Sequence, residues 1–233
     1  MRAAQGSLIQ TAWSNPNMPL VDKMSAMEKP KLLGCLAPVI CLLCIAVAIL
    51  LSPWFNWVTR ALSDLGNYDN GILPAVVFNV GLILTGILEL YFVQWFIRQL
   101  DRVIAKVAMA VFAVASVFLI LIGVLSENAF EGLFAVSPHF VVSVGFFFSF
   151  PFAMWIMSVE LARHSSLLWF ALISSVLPFF SVYIWWITFT SAAPWTGMAI
   201  PEILTATTAI GWVWLLWLLH HTGRLSTIVA ADC

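Results

Sequence analysis

Charged residues are scarce in this chain: lysine, arginine, aspartate and glutamate make up only 9% of its 233 residues. Hydrophobic residues make up 62%, and the mean hydropathy is +1.01. A soluble domain needs far more charge on its surface, so this composition excludes one. The formal net charge of −1 provides no surplus of basic residues for nucleic acid. We therefore expect a membrane protein that does not bind nucleic acid.

Cysteine and histidine are also scarce, with four of each. Cys41 and Cys44 have the spacing of a redox pair. Counted from Lys31 they lie roughly 15 to 20 Å into the bilayer, where a thiolate is disfavoured, and no loop between the apolar runs supplies a cysteine for exchange. We interpret both as packing residues. The histidines do not pair at mid-membrane depth, which argues against haem ligation.

Long apolar runs are abundant instead. A helix needs roughly 20 apolar residues to cross about 30 Å of hydrocarbon, and a single segment in lipid must satisfy its own backbone hydrogen bonds. The runs that meet this length are Leu32–Leu51, Ile72–Ile97, Ile104–Leu125, Phe140–Leu161, Leu167–Phe189 and Ile200–Leu219. The predicted fold class is all-α, a polytopic membrane bundle of six transmembrane helices.

The remaining segments are short. Residues 1–30 are polar and without periodicity, which predicts a flexible cytoplasmic tail before a six-helix transmembrane domain over residues 31–225. Residues 226–233 are predicted to form a C-terminal tail. No hydrophobic signal region precedes the first span, so we expect that span to be an uncleaved anchor.

The basic residues set the expected orientation. Alternate loops together with the two termini contain every lysine and arginine except Arg60, namely Arg2, Lys23, Lys29, Lys31, Arg98, Arg102, Lys106, Arg163 and Arg224. The positive-inside rule places that side in the cytoplasm. We therefore expect a multi-pass protein of the cell membrane with both termini cytoplasmic, and with the loops near Asp69, Glu131 and Pro194 outside.

The first outer loop has the pattern of an amphipathic helix. Ser52 and Pro53 are typical of a helix start and Gly66 of a helix end. Between them one side is apolar, with Trp54, Trp57, Val58, Ala61, Leu62 and Leu65. Because tryptophan favours the membrane interface, the sequence predicts an interfacial helix that covers the outer end of the bundle.

Polar residues from five separate parts of the chain are expected to converge beneath this helix. Asp64 lies near its end, and Asn79 lies about 10 Å into the second span. Glu127 closes the third span, whereas His139 and Glu202 open the fourth and the sixth. The sequence predicts that these five residues form one ligand-binding pocket on the outer side.

Several kinds of chemistry are open to such a set. Carboxylates with one imidazole could hold a divalent cation or position a water between a base and an acid, and the same groups could accept the head group of a lipid. Ordinary structural roles are also open, since Asp64 could pair with Arg60 and Glu202 could favour a helix N-terminus. The sequence identifies no catalytic residue, metal or cofactor.

Glu89 lies inside the second span, roughly 13 Å from its cytoplasmic end. A charge at that depth is costly. We interpret Glu89 as a structural acid that is hydrogen-bonded inside the bundle, with candidate partners Thr85, Ser116, Ser174 and Ser175.

Short motifs along the chain resemble a known family. They are Ala61-Leu62-Ser63-Asp64-Leu65-Gly66, Phe78-Asn79, Gly123-Val124-Leu125-Ser126-Glu127, His139 and Pro201-Glu202. The resemblance is to the uncharacterised, largely archaeal, prokaryotic membrane family called domain of unknown function 998. That family is similar, more distantly, to six-span eukaryotic proteins of the Frag1/DRAM/Sfk1 group, which are linked to lipid remodelling, lipid distribution and autophagy. The resemblance implies six helices and an outer polar cluster, without an established activity.

The function expected from these observations is binding of a lipid head group or another small polar ligand in the outer pocket, without catalysis. One alternative is a membrane enzyme, metal-dependent or not, that acts on a lipid or a lipid-linked substrate with His139 as base or ligand. Another is a structural subunit of a membrane complex. Membrane lipids are the expected partners, and the sequence leaves open whether the chain forms a homo-oligomer or joins a larger complex.

Overall fold

The structure is a computed structural model that describes residues 29–130 and 132–229. Its regular structure within those residues is helical. The long helices are α1 (Lys29–Leu50), α2 (Ile72–Gln99), α3 (Val103–Val124), α4 (Pro138–Leu161), α5 (Leu168–Phe189) and α6 (Ala199–His221). Short 3-10 helices are η1 (Ser63–Gly66), η2 (Tyr68–Asn70) and η3 (Ser165–Leu167).

All six long helices have the length and composition needed to cross a membrane, with mean hydropathies from 1.5 to 2.9. The predicted fold class is therefore confirmed: the chain is an all-α, multi-pass membrane protein. Helices α1 to α4 pack in sequence against one another. Helix α6 contacts both α5 and α1, whereas α5 packs less extensively on its neighbours than α2, α3 and α4 pack on theirs.

Aromatic side chains fill the middle of the bundle. Trp212 is fully buried, and its ring lies 6.0 Å from that of Phe112 and 5.7 Å from that of Phe150, both in edge-on contact. Its Nε1–H donates to Ser174 Oγ over 2.8 Å, so the polar atom of this large side chain is satisfied within the core. This arrangement ties α3, α4, α5 and α6 together at mid-height.

The continuous amphipathic helix predicted between Ser52 and Gly66 is absent, and only the stretch of η1 is helical there. Backbone groups before η1 have other partners. Asn56 Oδ1 accepts hydrogen bonds from the N–H groups of Val58 and Thr59, at 2.8 and 3.2 Å. The Val58 carbonyl accepts from the α5–α6 loop. Local turns and contacts between loops therefore replace the helix.

The opposite end of the bundle holds the last described residues. Val229 forms an antiparallel bridge with Leu100, and the N–H of Asp101 donates to the carbonyl of Ile228 over 3.2 Å. Leu225 and Ile228 are fully buried. Residues 226–229 of the predicted C-terminal tail are therefore packed against the α2–α3 connection. The predicted N-terminal tail as far as residue 28, Glu131 and residues 230–233 lie outside the described residues.

Candidate ligand-binding site

Three loops meet at one end of the bundle, which we call the upper end. Their described residues are 51–71, 125–130 with 132–137, and 190–198. The N–H groups of Thr196 and Gly197 both donate to the carbonyl of Val58 over 2.8 Å, and Ala199 N–H donates to the carbonyl of Arg60 over 2.9 Å. A Cβ at position 197 would overlap the backbone of Arg60, so this close approach needs glycine. The first loop is thus fixed to the start of α6.

Glu202 is held in the first turn of α6, facing the first loop. Its Oε2 accepts from the N–H of Leu62 over 2.5 Å. This donor stands at the beginning of η1, where N–H groups lack partners within the helix. Glu202 therefore caps a helix that lies far from it in sequence, which refines the structural role considered for it.

Asp64 has the ordinary role that the sequence left open. Its Oδ2 lies 3.8 Å from Nη1 of Arg60 and accepts from the N–H of Ala61 over 3.2 Å. Asp64 does not line the cavity described below, but it is close enough to interact electrostatically with Glu202. Asp64 therefore helps to hold the first loop beside the cavity.

Asn79 is buried and fastens η1 to α2. Its Nδ2 donates to the carbonyl of Gly66 over 2.9 Å. A Cβ at position 66 would stand 2.5 Å from Asn79 Oδ1, so the glycine of the Ser-Asp-Leu-Gly motif permits this contact. Like Asp64, Asn79 supports the upper end from outside the cavity lining.

His139, in the first turn of α4, is only 6% exposed. Its Nδ1 lies 2.6 Å from the carbonyl oxygen of Leu125, at the end of α3. Because a carbonyl can only accept, Nδ1 must carry the proton in this hydrogen bond. The neutral ring then has its lone pair on Nε2, the form that serves as an acceptor, a base or a metal ligand.

A cavity of about 940 Å³ opens between α4, α5 and the upper loops. Polar side chains line its upper end: Ser63, Asn67, Glu127, Asn128, Ser137, His139 and Glu202. Aromatic side chains line the part that continues down α4 and α5: Phe140, Phe147, Phe148, Phe152, Trp155, Trp185, Trp186 and Phe189. Helix α4 rises about 24 Å between His139 and Trp155. The cavity is therefore long, polar at one end and apolar along its length.

Trp155 marks the lower limit of this cavity along α4. Its Nε1–H donates to the carbonyl of Ser175 over 3.1 Å, and its ring lies 5.1 Å from that of Phe179. Pro178 stands inside α5 and cannot donate to the carbonyl four residues earlier. The floor of the cavity is thus a hydrogen-bonded tryptophan packed next to a proline-containing segment of α5.

The family assignment rests on the match of one family model, described as "Protein of unknown function (DUF998)", over residues 35–221. The chain belongs to this family. The matched range contains all the residues that line the cavity. No curated protein and no solved structure matches the chain. The more distant likeness to the Frag1/DRAM/Sfk1 group stays a prediction.

Within this DUF998 chain, the structure brings together three of the five residues selected from sequence: Glu127, His139 and Glu202 line one cavity. Asp64 and Asn79 hold the loop beside it. Whether these residues bind a ligand stays a prediction. Sequence reasoning missed the apolar part of the cavity, although its residues recur at three- to four-residue spacing along one face of α4: Phe140, Val144, Phe147, Phe148, Pro151, Phe152 and Trp155.

A second, smaller cavity of about 80 Å³ lies within the bundle beneath the upper end. It shares His139 and Glu202 with the first cavity and reaches Glu89. Glu89 is buried and accepts from Ser116 Oγ over 3.1 Å, which confirms a hydrogen-bonded acid with one of its predicted partners. Among residues 29–130 and 132–229, no three His, Cys, Asp or Glu side chains are grouped closely enough to hold a metal ion.

Proposed function

We propose that this protein binds a membrane lipid in the large cavity, without carrying out chemistry on it. The head group would lie among the polar residues of the upper end, and an acyl chain would lie along α4 and α5. The observation that carries this proposal is the joining of a polar end and a long apolar part in one cavity of about 940 Å³. Ligand pockets in proteins commonly have volumes up to about this size.

Access from the side of the bundle supports a lipid rather than a water-soluble ligand. Phe148, Phe152 and Trp186 line the cavity, yet they are 64%, 50% and 59% exposed on the surface of the bundle. In a membrane-spanning protein that surface faces lipid. The acyl chain of a lipid could therefore enter the cavity from the bilayer without crossing water.

The distribution of basic residues favours the outer leaflet as the source of the lipid. Arg60 is at the upper end. The lower end carries Arg98, Arg102, Lys106, Arg163 and Arg224. By the positive-inside rule the upper end would face away from the cytoplasm, so the ligand would be a lipid of the outer leaflet.

Filling the apolar part of the cavity tests this proposal. Val144 and Val182 line it from α4 and α5, whereas Val141 and Val176 lie on the same helices, outside the lining and exposed. We expect the double variant Val144→Trp/Val182→Trp to lose most of its co-purifying lipid, measured by native mass spectrometry of the full chain. The matched control Val141→Trp/Val176→Trp should retain it. Equal lipid occupancy in the two variants would contradict the proposal.

A second candidate is a membrane enzyme that hydrolyses a lipid or a lipid-linked substrate. The specific observation in its favour is the hydrogen bond to Leu125, which leaves Nε2 of His139 as a potential general base in a cavity that also contains Glu127 and Glu202. Incubation of the protein with vesicles of total membrane lipid, followed by mass spectrometry of the products, tests this role. Product that forms with the wild type and not with His139→Gln would favour the enzyme.

A further inference from the structure

We propose that the lipid bound in this cavity has an uncharged head group with at least two hydroxyl groups, such as a glycerol or a sugar. This inference rests on the proposed lipid-binding function and names the class of ligand. An acyl chain that moves from the bilayer into the apolar part of the cavity exchanges one apolar environment for another and gains little free energy. Selection among lipids must therefore come from the groups at the polar end.

The acidic side chains near the polar end are engaged within the protein. Asp64 stands outside the cavity lining, and its Oδ2 lies 3.8 Å from Nη1 of Arg60. Glu202 accepts from the N–H of Leu62. Glu127 also interacts with the rest of the protein. The selection of a ligand therefore falls to the neutral side chains of the lining.

Three hydroxyl groups line the cavity without a hydrogen bond to the protein. They belong to Ser63, Ser137 and Ser143, and none of them has a partner among residues 29–130 and 132–229. By contrast, the hydroxyl groups of Ser149 and Ser158, which are also on α4 but outside the lining, each donate to a carbonyl of that helix over 2.7 Å. Because a hydroxyl group both donates and accepts, each of the three serines in the lining would gain a partner from a ligand hydroxyl.

Two amide side chains add donors at the same end. Asn67 Oδ1 accepts from the N–H of Asp69 over 2.9 Å, and Asn128 Oδ1 accepts from Ser126 Oγ over 3.1 Å. Both amide oxygens are thus used inside the loops, and the Nδ2 groups remain as donors. His139 supplies an acceptor, Nε2, because its Nδ1–H is already bonded to a carbonyl. The polar end therefore combines donors with acceptors, which matches hydroxyl groups.

The charge of the lining argues against a phosphate. Among the described residues, no lysine or arginine lines this cavity. A phosphate or sulfate brings negative charge and acceptors, and removing that charge from water without a cation is costly. A quaternary ammonium group, for its part, has no N–H to donate to the acceptor on His139. An uncharged, hydroxylated head group has neither disadvantage.

The polar and aromatic parts of the cavity meet along α4. Ser143 lies one turn above Phe147, about 6 Å along the helix axis, and the Phe147 ring centre is 4.9 Å from that of Trp185. The Nε1–H of Trp185 donates to Thr205 Oγ1 over 3.1 Å, which holds its ring in place at the cavity. A glycerol or a sugar carries C–H groups as well as hydroxyls, so it can pack against such a ring while it bonds Ser143.

The test uses five probes that share a hexadecyl chain. Two have uncharged, hydroxylated head groups, 1-O-hexadecylglycerol and hexadecyl glucoside; the others are hexadecyl methyl ether, hexadecyl phosphate and hexadecylphosphocholine. Each is added to the full chain in tetraethylene glycol monooctyl ether, a detergent without a sugar, and binding is followed by native mass spectrometry. We expect at least one hydroxylated probe to bind about tenfold more tightly than each of the other three, and the better of the two identifies the head group. Equally tight binding of the methyl ether or of a phosphate-containing probe would overturn the inference.

Serine-to-alanine variants provide the matched comparison. Ser137→Ala/Ser143→Ala removes two hydroxyls of the lining, and Ser137 precedes α4 without a side-chain capping bond, so the hydrogen bonds of the fold are kept. We expect this variant to bind the preferred hydroxylated probe about tenfold more weakly, with hexadecyl methyl ether nearly unchanged. The control Ser149→Ala/Ser158→Ala removes two hydroxyls outside the lining and should change neither affinity. Equal affinity of the two double variants for the hydroxylated probe would contradict the inference.

The outcome also separates this inference from the proposed function. If Val144→Trp/Val182→Trp abolishes binding of all five probes, and the wild type does not distinguish them, the cavity binds lipid chains but the preference for a hydroxylated head group is refuted. If none of the probes binds and the cavity-filling variant keeps its native lipid, both proposals are refuted.

Discussion

Replacing Glu202 by alanine removes the acceptor that holds the first loop on α6. The carboxylate accepts the N–H of Leu62, and Leu62 is buried, so the mutation leaves a buried donor without its acceptor. A hydrogen bond within a protein contributes about 0.5 to 1.5 kcal/mol, and a buried donor left without an acceptor costs about 1 to 3 kcal/mol.

We therefore expect a net loss of about 2 kcal/mol in the free energy of unfolding, which corresponds to a fall in Tm on the order of 5 °C for a chain of this size. Glu202→Gln keeps an acceptor oxygen without the charge and should lose less than about 1 kcal/mol.

The chain contains its own reporter for the assay. Cys35, Cys41 and Cys44 are free thiols in α1. Cys41 is buried, so a thiol-reactive fluorescent dye will report unfolding as temperature rises. Asp69→Ala, at an exposed position at the same end, serves as the control and should leave Tm unchanged. A Glu202→Ala protein that unfolds at the wild-type temperature would refute the assigned role of Glu202 as a cap of η1.

Three further substitutions follow from the packing. Gly197→Ala should destabilise the chain by about 1 to 3 kcal/mol, because the new Cβ overlaps the backbone of Arg60. Gly211→Ala, where a Cβ meets nothing within 4 Å, should stabilise α6 by up to about 1 kcal/mol; equal Tm values for the two alanine variants would contradict this reasoning. Trp155→Ala removes the floor of the cavity and its hydrogen bond to Ser175, so the variant should retain lipids with longer chains, read from the masses of co-purified lipid. An unchanged chain-length distribution would show that Trp155 does not limit the cavity.

The Ser-Asp-Leu-Gly motif is explained by hydrogen bonds that hold one short turn. The N–H of Leu62, just before the motif, donates to Glu202, the Asp64 carboxylate accepts from Ala61, and the Gly66 carbonyl accepts from Asn79. The third residue of the motif, Leu65, is 1% exposed and belongs to the core. Residues that sequence analysis grouped as ligand-binding therefore divide into those that border the cavity and those that fix the loop beside it.

The six helices could be predicted because each is specified by its own stretch of chain. A run such as Val103–Val124 must form a helix in lipid, whatever its neighbours are. The loop before η1 could not be predicted in this way. Its residues have a helical pattern, but the Val58 carbonyl accepts hydrogen bonds from the α5–α6 loop and the Arg60 carbonyl accepts one from the first residue of α6. A local sequence pattern does not show this competition.

The candidate site, like the fold, could be predicted only in part. The chemical types at its polar end were evident from the sequence, since acids and a histidine are conspicuous in a chain with so few charges. Which of them line the cavity and which support the loop was not evident. Asp64 and Glu127 are both acids near the ends of the predicted spans, and only the packing of distant segments places Glu127 in the cavity lining and Asp64 outside it. The apolar part of the cavity was missed because phenylalanine or tryptophan also occurs in α2, α3 and α6, which do not form that part of the cavity.

The sequence by itself determined that the chain crosses a membrane with six helices, because hydrophobicity and backbone hydrogen bonding act segment by segment. Only the tertiary structure decided that Glu202 caps η1, that His139 donates to Leu125, and that a long cavity lies along α4 and α5. Those features depend on contacts between segments far apart in the chain. In a bundle whose surface is apolar on all sides, no local periodicity fixes which faces meet.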